Sequence, residues 1–200
     1  MGEGEDQTTG FYAANASGYA DHCGQPSTER LEQFLARIRP SPEILELGCG
    51  NGRDSALMLK RGVRVTPTDG TPEMAAEATR RLGLEVAVLR FEDLDAADAF
   101  DGVWANACLL HVPRTALRGI LARIFKALRQ GGVFYASFKA GEAEGLDGLG
   151  RYYNYPSRDW LLQAYGTSGW ASVDIEEIAG SAYDLRPTHW LHVTATKAWT

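Results

Sequence analysis

The sequence predicts an α/β protein in which helices cover both faces of a mostly parallel sheet, the doubly wound arrangement. Three observations lead to this prediction. Short apolar strand-like runs alternate with helical periodicity between residues 43 and 139. A glycine-rich turn at 48–52 follows the first of these strands. Two further strand-like runs near the end of the chain have no helix between them, which predicts an antiparallel hairpin that closes one edge of the sheet.

The remaining elements are predicted from hydrophobic periodicity and from the capping and helix-breaking residues at their ends. Leu31, Phe34, Leu35 and Ile38 recur at helical spacing after a Ser27 or Thr28 cap, and Pro40 ends this helix. Further helices are expected at 53–61, 72–82, 115–128 and 157–165. Seven strands are expected, at 43–47, 63–68, 86–90, 100–106, 133–138, 171–178 and 190–198. Residues 140–156 show no clean periodicity.

The N-terminal segment, residues 1–25, has a different character from residues 26–200, which we expect to form one domain. Its first ten residues are predicted to be a frayed terminus. The remainder contains Phe11, Tyr12 and Tyr19 among small residues, and we expect a loose helix or a lid.

Composition excludes several classes of protein. With 44% hydrophobic and 23% charged residues, the 200-residue chain can bury a full core. The net charge of −6 argues against a nucleic acid partner. No apolar run is long enough to span a membrane, and the acidic start lacks the features of a secretory signal. Cys23, Cys49 and Cys108 form neither a disulfide framework nor a zinc pattern, so a reducing, cytoplasmic location is expected and no metal.

The glycine turn is the most informative string. Gly48, Gly50 and Gly52 follow the buried strand, and such glycines let the backbone approach a ligand at the carboxyl end of a strand. Arg53 stands where a dinucleotide fingerprint needs a third glycine, and the Gly-Lys-Ser/Thr of a phosphate loop is missing. Asp69 ends the second strand, 17 residues after Gly52, where a carboxylate can accept both ribose hydroxyls. These features together predict an adenosine-type ligand, bound by a site that lacks a pyrophosphate-binding loop.

These motifs resemble the class I S-adenosylmethionine-dependent methyltransferases. Residues 46–52 correspond to the family's first motif, Asp69 to the second, 90–93 to the third and 100–107 to the fourth, and 128–132 to the turn after the following helix. The resemblance covers residues 28–139 firmly and implies a Rossmann-like, seven-stranded sheet. The string at 50–55 and the segment after Lys139 are most similar to small tellurite-resistance-type and thiopurine-type enzymes.

The resemblance also implies roles for individual residues toward S-adenosyl-L-methionine and its product S-adenosyl-L-homocysteine. Glu46, Gly48 and Gly50 would hold the methionine moiety, and Asp69 the ribose. Phe91 and Glu92 would contact adenine. The full set of expected cofactor contacts is Tyr12, Glu46, Gly48, Cys49, Gly50, Arg53, Asp69, Gly70, Phe91, Glu92, Asn106 and Ala107.

Methyl transfer from a sulfonium depends chiefly on alignment, and a general base is optional. His111, just past the fourth strand, is the candidate base, although it would equally anchor the loop before Pro113. Substrate recognition is predicted for five residues in or after the long glycine-rich loop: Lys139, Arg151, Tyr152, Tyr153 and Trp190. Arg114, Arg118 and Arg129 are expected on one solvated helix face.

The predicted activity is methylation of a small molecule by a monomer or homodimer, and the accepting atom stays open among oxygen, nitrogen, sulfur and a metalloid. Asn106-Ala107-Cys108-Leu109 departs from the Asn-Pro-Pro-aromatic pattern, which argues against methylation of base or glutamine amines. Three alternatives remain: a tRNA or protein methyltransferase, a non-catalytic S-adenosylmethionine-binding module, and a nicotinamide-dependent oxidoreductase, which the missing third glycine disfavours.

Overall fold

The computed structural model describes the backbone of residues 3–22, 28–181 and 186–199, and the side chains of these ranges except 3–6 and 20–22. The helices are α1 Glu3–His22, α2 Thr28–Leu35, α3 Arg53–Lys60, α4 Pro72–Leu82, α5 Arg114–Ala127 and α6 Arg158–Tyr165. The strands are β1 Glu43–Glu46, β2 Arg64–Asp69, β3 Ala87–Val88, β4 Phe100–Ala105, β5 Leu128–Lys139, β6 Gly145–Leu146, β7 Tyr152–Tyr153, β8 Trp170–Ser181 and β9 Pro187–Lys197. Two single 3₁₀ turns cover Phe91–Asp93 and Leu109–His111.

Seven of the nine described strands form one sheet, in the order β3-β2-β1-β4-β5-β9-β8. The first five pair in parallel, whereas β9 runs antiparallel to both β5 and β8. This confirms the predicted α/β class, the Rossmann-like doubly wound sheet and its C-terminal antiparallel hairpin. A separate β6–β7 pair lies within 140–156, where the sequence predicted no regular element.

Strand β5 shows how the core forms on both faces of this sheet. Successive side chains of a strand point to opposite faces. Phe134 and Ala136 therefore join the apolar cluster beneath α5, whereas Val133 and Tyr135 join the cluster beneath α2 and α3. In the second cluster the rings of Trp104 and Tyr135 stack with centroids 4.0 Å apart. Since both faces are covered, the strand reads as a continuous apolar run, as strands of parallel sheets do.

The prediction of a frayed terminus for residues 1–10 was wrong, because α1 begins at Glu3. This helix lacks an apolar stripe, and for that reason periodicity did not reveal it. Thr8 is the one fully buried side chain among those described in α1. The expected Ser27 cap and Cys23 lie outside the described residues. The division of the chain at residue 25 stays a prediction.

The prediction of a common solvated face for three arginines was also wrong. Helix α5 ends at Ala127, so Arg129 belongs to β5, where it donates to Glu43 at 2.7 Å and Asp101 at 2.9 Å. Arg114 donates to the carbonyl oxygens of residues 154 and 155, at 3.0 and 2.8 Å. Arg118 alone of the three is exposed. Within the described ranges, no helix is both long and apolar enough to cross a bilayer.

Candidate active site

The site lies at the carboxyl edge of the parallel strands. Strand β1 has β2 on one side and β4 on the other, so chain connections leave it in opposite directions and open a crevice there. A cavity of about 1140 Å³, including its open mouth, occupies this position. Its lining contains every residue predicted to contact the cofactor, together with His111: Tyr12, Glu46, Gly48, Cys49, Gly50, Arg53, Asp69, Gly70, Phe91, Glu92, Asn106 and Ala107.

The glycine turn forms the floor of the cavity. Gly48 adopts φ +60°, and a Cβ at this position would lie 2.5 Å from the Cβ of Cys108. Glycine is required there both for the left-handed backbone and for the close approach of the two loops. Gly50 has φ +57°, and a Cβ built on it would have its nearest neighbour, Met74 Cε, 3.9 Å away. The turn therefore presents bare backbone to the cavity.

Asp69 closes this turn from the neighbouring strand. One carboxylate oxygen accepts the Gly50 amide at 2.9 Å, and the other accepts the Thr71 amide at 2.9 Å. The side chain is 8% exposed, and burial raises its pKa, opposed by these two amide hydrogen bonds. A carboxylate has more acceptor sites than these two bonds use. Asp69 can thus hold the loop and still accept hydroxyl groups from the cavity.

A second buried carboxyl group lies at the end of β1. Glu46 is 2% exposed and accepts the hydroxyl of Ser55. Burial and the neighbouring Asp54 carboxylate raise the pKa of Glu46 well above its usual range. A cationic group arriving in the cavity would favour the ionised form, because an opposite charge lowers a carboxyl pKa.

Asp54 links the core to the cavity. It accepts the Trp104 indole N–H at 3.0 Å and the Asn106 amide at 2.9 Å, and Arg53 pairs with its other oxygen at 2.9 Å. Asn106 in turn accepts the Ser137 hydroxyl at 2.8 Å. The orientation of Asn106 at the cavity wall is therefore fixed from two sides.

Ala107, the next residue, has φ +54°, which is uncommon for a residue with a side chain. Its amide donates to the Ser137 hydroxyl oxygen at 2.8 Å. Strained backbone of this kind clusters at functional sites. Ser137 of β5 thus fixes both Asn106 and Ala107, two of the expected cofactor contacts.

His111 lies in the cavity wall between two partners. Its Nδ1 is 2.6 Å from the carbonyl oxygen of Tyr152, which can only accept, so Nδ1 carries the proton. Its Nε2 is 3.0 Å from the Tyr12 hydroxyl, which therefore donates to it. Burial is the main cause that lowers the pKa of His111 to about 4, so the ring is neutral at pH 7. Burial also raises the pKa of Tyr12 well above its usual range.

The residues of the third motif that were expected to contact adenine form a short 3₁₀ turn, Phe91–Asp93. Phe91 Cζ would lie 3.7 Å from a Cβ on Gly48, so its ring borders the glycine turn. Glu92 pairs with Arg90 through an Nε–Oε1 distance of 2.7 Å. A Cβ built on Gly70 would lie 3.9 Å from the Cα of Arg90, so this glycine approaches the start of the turn.

None of the five residues predicted to recognise substrate belongs to the cavity lining. Arg151 is 3% exposed, pairs with Asp147 at 2.7 Å and lies between the rings of Phe11 and Tyr153. Lys139 Nζ is 4.1 Å from the ring centroid of the buried Tyr153.

The other two also have partners away from the cavity. The Tyr152 hydroxyl donates to Glu144, and the Trp190 indole donates to the Ser181 carbonyl at 3.2 Å. Together, Arg151 and Tyr153 form a cation–aromatic cluster under α1 rather than a wall of the cavity.

Sequence reasoning missed Asp54 and the first turns of α1. An acidic residue one position into the helix after the glycine turn was the available signal for Asp54. Thr8 and Thr9 gave none, because they lie in the segment expected to be frayed. The remaining lining residues that were not among the predicted contacts are Tyr19, Asn51, Thr71, Met74, Arg90, Cys108 and Val112. In the described part of the chain, no cluster of three His, Cys, Asp or Glu residues could hold a metal ion.

Comparison with known proteins agrees with this geometry. Residues 44–132 match the family model described as a methyltransferase domain. The chain is 36% identical over 111 residues to trans-aconitate 2-methyltransferase of Acidovorax sp. strain JS42, covering 53% of this chain and 42% of that one. It is 34% identical over 116 residues to ubiquinone biosynthesis O-methyltransferase of Xanthomonas axonopodis pv. citri, covering 54% and 48%. The match thus spans less than half the length of either curated relative.

A solved structure matches nearly the whole chain. It is the 1,6-didemethyltoxoflavin-N1-methyltransferase of Burkholderia thailandensis, determined with 1,6-didemethyltoxoflavin and S-adenosylhomocysteine bound. The TM-score is 0.75 at 27% identity, covering 97% of this chain and 87% of that one. The chain therefore has the Rossmann-like fold of that methyltransferase, and residues 44–132 are similar to a methyltransferase domain.

Proposed function

We propose that this protein transfers the methyl group of S-adenosyl-L-methionine to a small-molecule acceptor. The observation that carries the proposal is the cavity at the carboxyl edge of β1, β2 and β4, whose floor is bare glycine backbone and whose side is the Asp69 carboxylate. The matched methyltransferase domain and relatives named for trans-aconitate, a ubiquinone precursor pathway and 1,6-didemethyltoxoflavin support it.

The donor set of the cavity fits this cofactor. Asp69 offers acceptor sites for ribose hydroxyls, and the Phe91 ring offers an apolar face to adenine. Glu46, a buried carboxyl whose pKa is raised by burial and by Asp54, suits the ammonium group of the methionine moiety, which would favour its ionised form. When bound, S-adenosylmethionine supplies an activated methyl group, so the protein has mainly to align donor and acceptor.

We assign His111 a positioning role as a neutral ring. Its pKa of about 4 makes it a weak base at pH 7, while its Nε2 fixes the Tyr12 hydroxyl at the cavity wall. A general base, as the sequence suggests, would need an imidazole that titrates near neutral pH, and therefore a ring more exposed to solvent than that of His111.

Titration calorimetry with S-adenosylhomocysteine tests the proposal directly. We expect saturable binding, weakened about tenfold or more by Asp69→Asn, because an amide nitrogen would replace one acceptor of a ribose hydroxyl or of the loop amides. Asp174→Asn, which removes an exposed carboxylate paired with Arg37, is the matched control and should bind as the wild type does. Absence of binding by the wild-type protein would refute the proposed function.

The relatives reported above are named for trans-aconitate, ubiquinone biosynthesis and 1,6-didemethyltoxoflavin. The finer likeness to tellurite-resistance-type and thiopurine-type enzymes stays a prediction.

A further inference from the structure

We propose that the Glu46 carboxyl gives up a proton in exchange for the ammonium group of the cofactor, so that binding of S-adenosyl-L-methionine releases one proton to solution. This exchange, which rests on the proposed function, makes the affinity of the site for its cofactor rise with pH. Three buried carboxyl groups of the cavity lining are involved, those of Glu46, Asp54 and Asp69, which are 2%, 5% and 8% exposed.

The hydrogen-bond partners of these three groups are of different kinds. Asp69 accepts two backbone amides, each at 2.9 Å. Asp54 accepts an indole N–H at 3.0 Å, and a side-chain amide and a guanidinium at 2.9 Å each. In the described part of the chain, the carboxyl group of Glu46 has one partner, the Ser55 hydroxyl. Several N–H donors favour an ionised carboxyl, so Glu46 is the member of the three that is best suited to hold a proton.

The charges around Glu46 also favour its neutral form. Titratable groups of the described chain face it from α3, from β2 and from the loops after β1 and β4: Arg53, Asp54, Asp69, Cys49 and Cys108. Burial raises the pKa of both thiols, so they stay uncharged, and the guanidinium pairs with Asp54 at 2.9 Å. Burial and the Asp54 carboxylate raise the pKa of Glu46 itself. In the protein without cofactor, Glu46 therefore carries the proton.

An ammonium group bound next to Glu46 reverses this balance. The opposite charge favours the ionised carboxyl, and the proton of Glu46 passes to the buffer. An adenosine ligand without an ammonium group leaves Glu46 neutral and releases nothing. Because binding of the cofactor releases a proton, its association constant rises about tenfold per pH unit while the free protein holds that proton, and levels off above the pKa of Glu46.

Titration calorimetry counts the released protons without relying on turnover. S-adenosylhomocysteine, which carries the ammonium group, is titrated at pH 6.5 in phosphate and in imidazole, two buffers with different heats of ionisation. We expect release of close to one proton, and an association constant that rises at least tenfold from pH 5.5 to 7.5. The ring of His111, with a pKa of about 4, stays neutral over this range.

A second ligand and two variants assign the proton to Glu46. The ligand 5′-methylthioadenosine keeps adenine, ribose and sulfur but has no amino acid part, and it should release no proton. Glu46→Gln keeps the size of the side chain and cannot ionise, so its association constant for S-adenosylhomocysteine should be the same at pH 5.5 and 7.5. Glu177→Gln, which removes an exposed carboxylate paired with His189 at 2.9 Å, is the matched control and should behave as the wild type does.

The possible results separate this inference from the proposed function. Failure of the wild-type protein to bind S-adenosylhomocysteine at any of these pH values would refute both. Binding without proton release would overturn the inference and leave the proposed function intact. So would equal proton release with 5′-methylthioadenosine, which would assign the proton to Asp69 at the ribose. A Glu46→Gln protein that still releases the proton would overturn it as well, and the comparison of the two ligands on the wild type needs no variant to fold.

Discussion

Substitution of Gly48 by alanine tests the account of the glycine turn, because two separate penalties meet at this residue. A left-handed backbone costs a residue with a Cβ roughly 1–2 kcal/mol. The new methyl group would also lie 2.5 Å from the Cβ of Cys108, and relief of such an overlap costs typically about 1–3 kcal/mol. We therefore expect Gly48→Ala to lower the free energy of unfolding by about 2–5 kcal/mol and to weaken S-adenosylhomocysteine binding.

Gly62→Ala is the matched control, since Gly62 has φ +73° but nothing within 4 Å of a built Cβ. Its free energy of unfolding should fall only by the cost of the left-handed backbone, about 1–2 kcal/mol. Urea unfolding at constant m-value measures both losses. In the double variant Gly48→Ala/Cys108→Gly the clash is absent, so the two changes should couple favourably in a mutant cycle. Equal losses at the two glycines, with no coupling to Cys108, would refute the steric argument.

Three further predictions follow from single contacts. His111 should make the free energy of unfolding depend on pH. Its pKa is about 4 in the folded chain against the ordinary 6.5, so the unfolded chain binds the extra proton and stability falls as pH drops from 6.5 toward 4, by up to about 3 kcal/mol. His111→Asn should remove that part of the slope in urea titrations across this range; an unchanged slope would contradict it. Arg151→Gln should loosen α1, because the guanidinium pairs with Asp147 and packs on Phe11, and amide hydrogen exchange in α1 should accelerate. Arg118→Gln, on the exposed face of α5, is its control, and similar exchange in the two variants would count against the contact. Finally, Arg151→Lys should restore part of the protection, since it keeps the charge but cannot direct two planar N–H donors at Asp147 Oδ2.

The sequence was sufficient for the sheet and for bringing the predicted cofactor contacts to one cavity, because both depend on local signals that the topology then brings together. The glycine turn and Asp69 end neighbouring parallel strands, and parallel strands deliver their carboxyl ends to one edge. The residues expected to recognise substrate show the limit of this reasoning. Composition marked 140–156 as unusual, but it could not reveal that Arg151 would turn toward Asp147 four residues earlier instead of toward the cavity. The first turns of α1 were missed since the helix lacks an apolar stripe and its polar contacts are long-range.

Those polar contacts give α1 distinctive thermodynamics. The Thr8 hydroxyl accepts the Tyr152 amide at 2.8 Å, and Tyr12 donates to His111, while most of the described side chains of the helix remain partly or fully in solvent. Detachment of the helix would break these two hydrogen bonds and would also hydrate the rings of Phe11 and Tyr12. The detached state would therefore differ from the attached one in both enthalpy and heat capacity, and the balance between the two would depend on temperature.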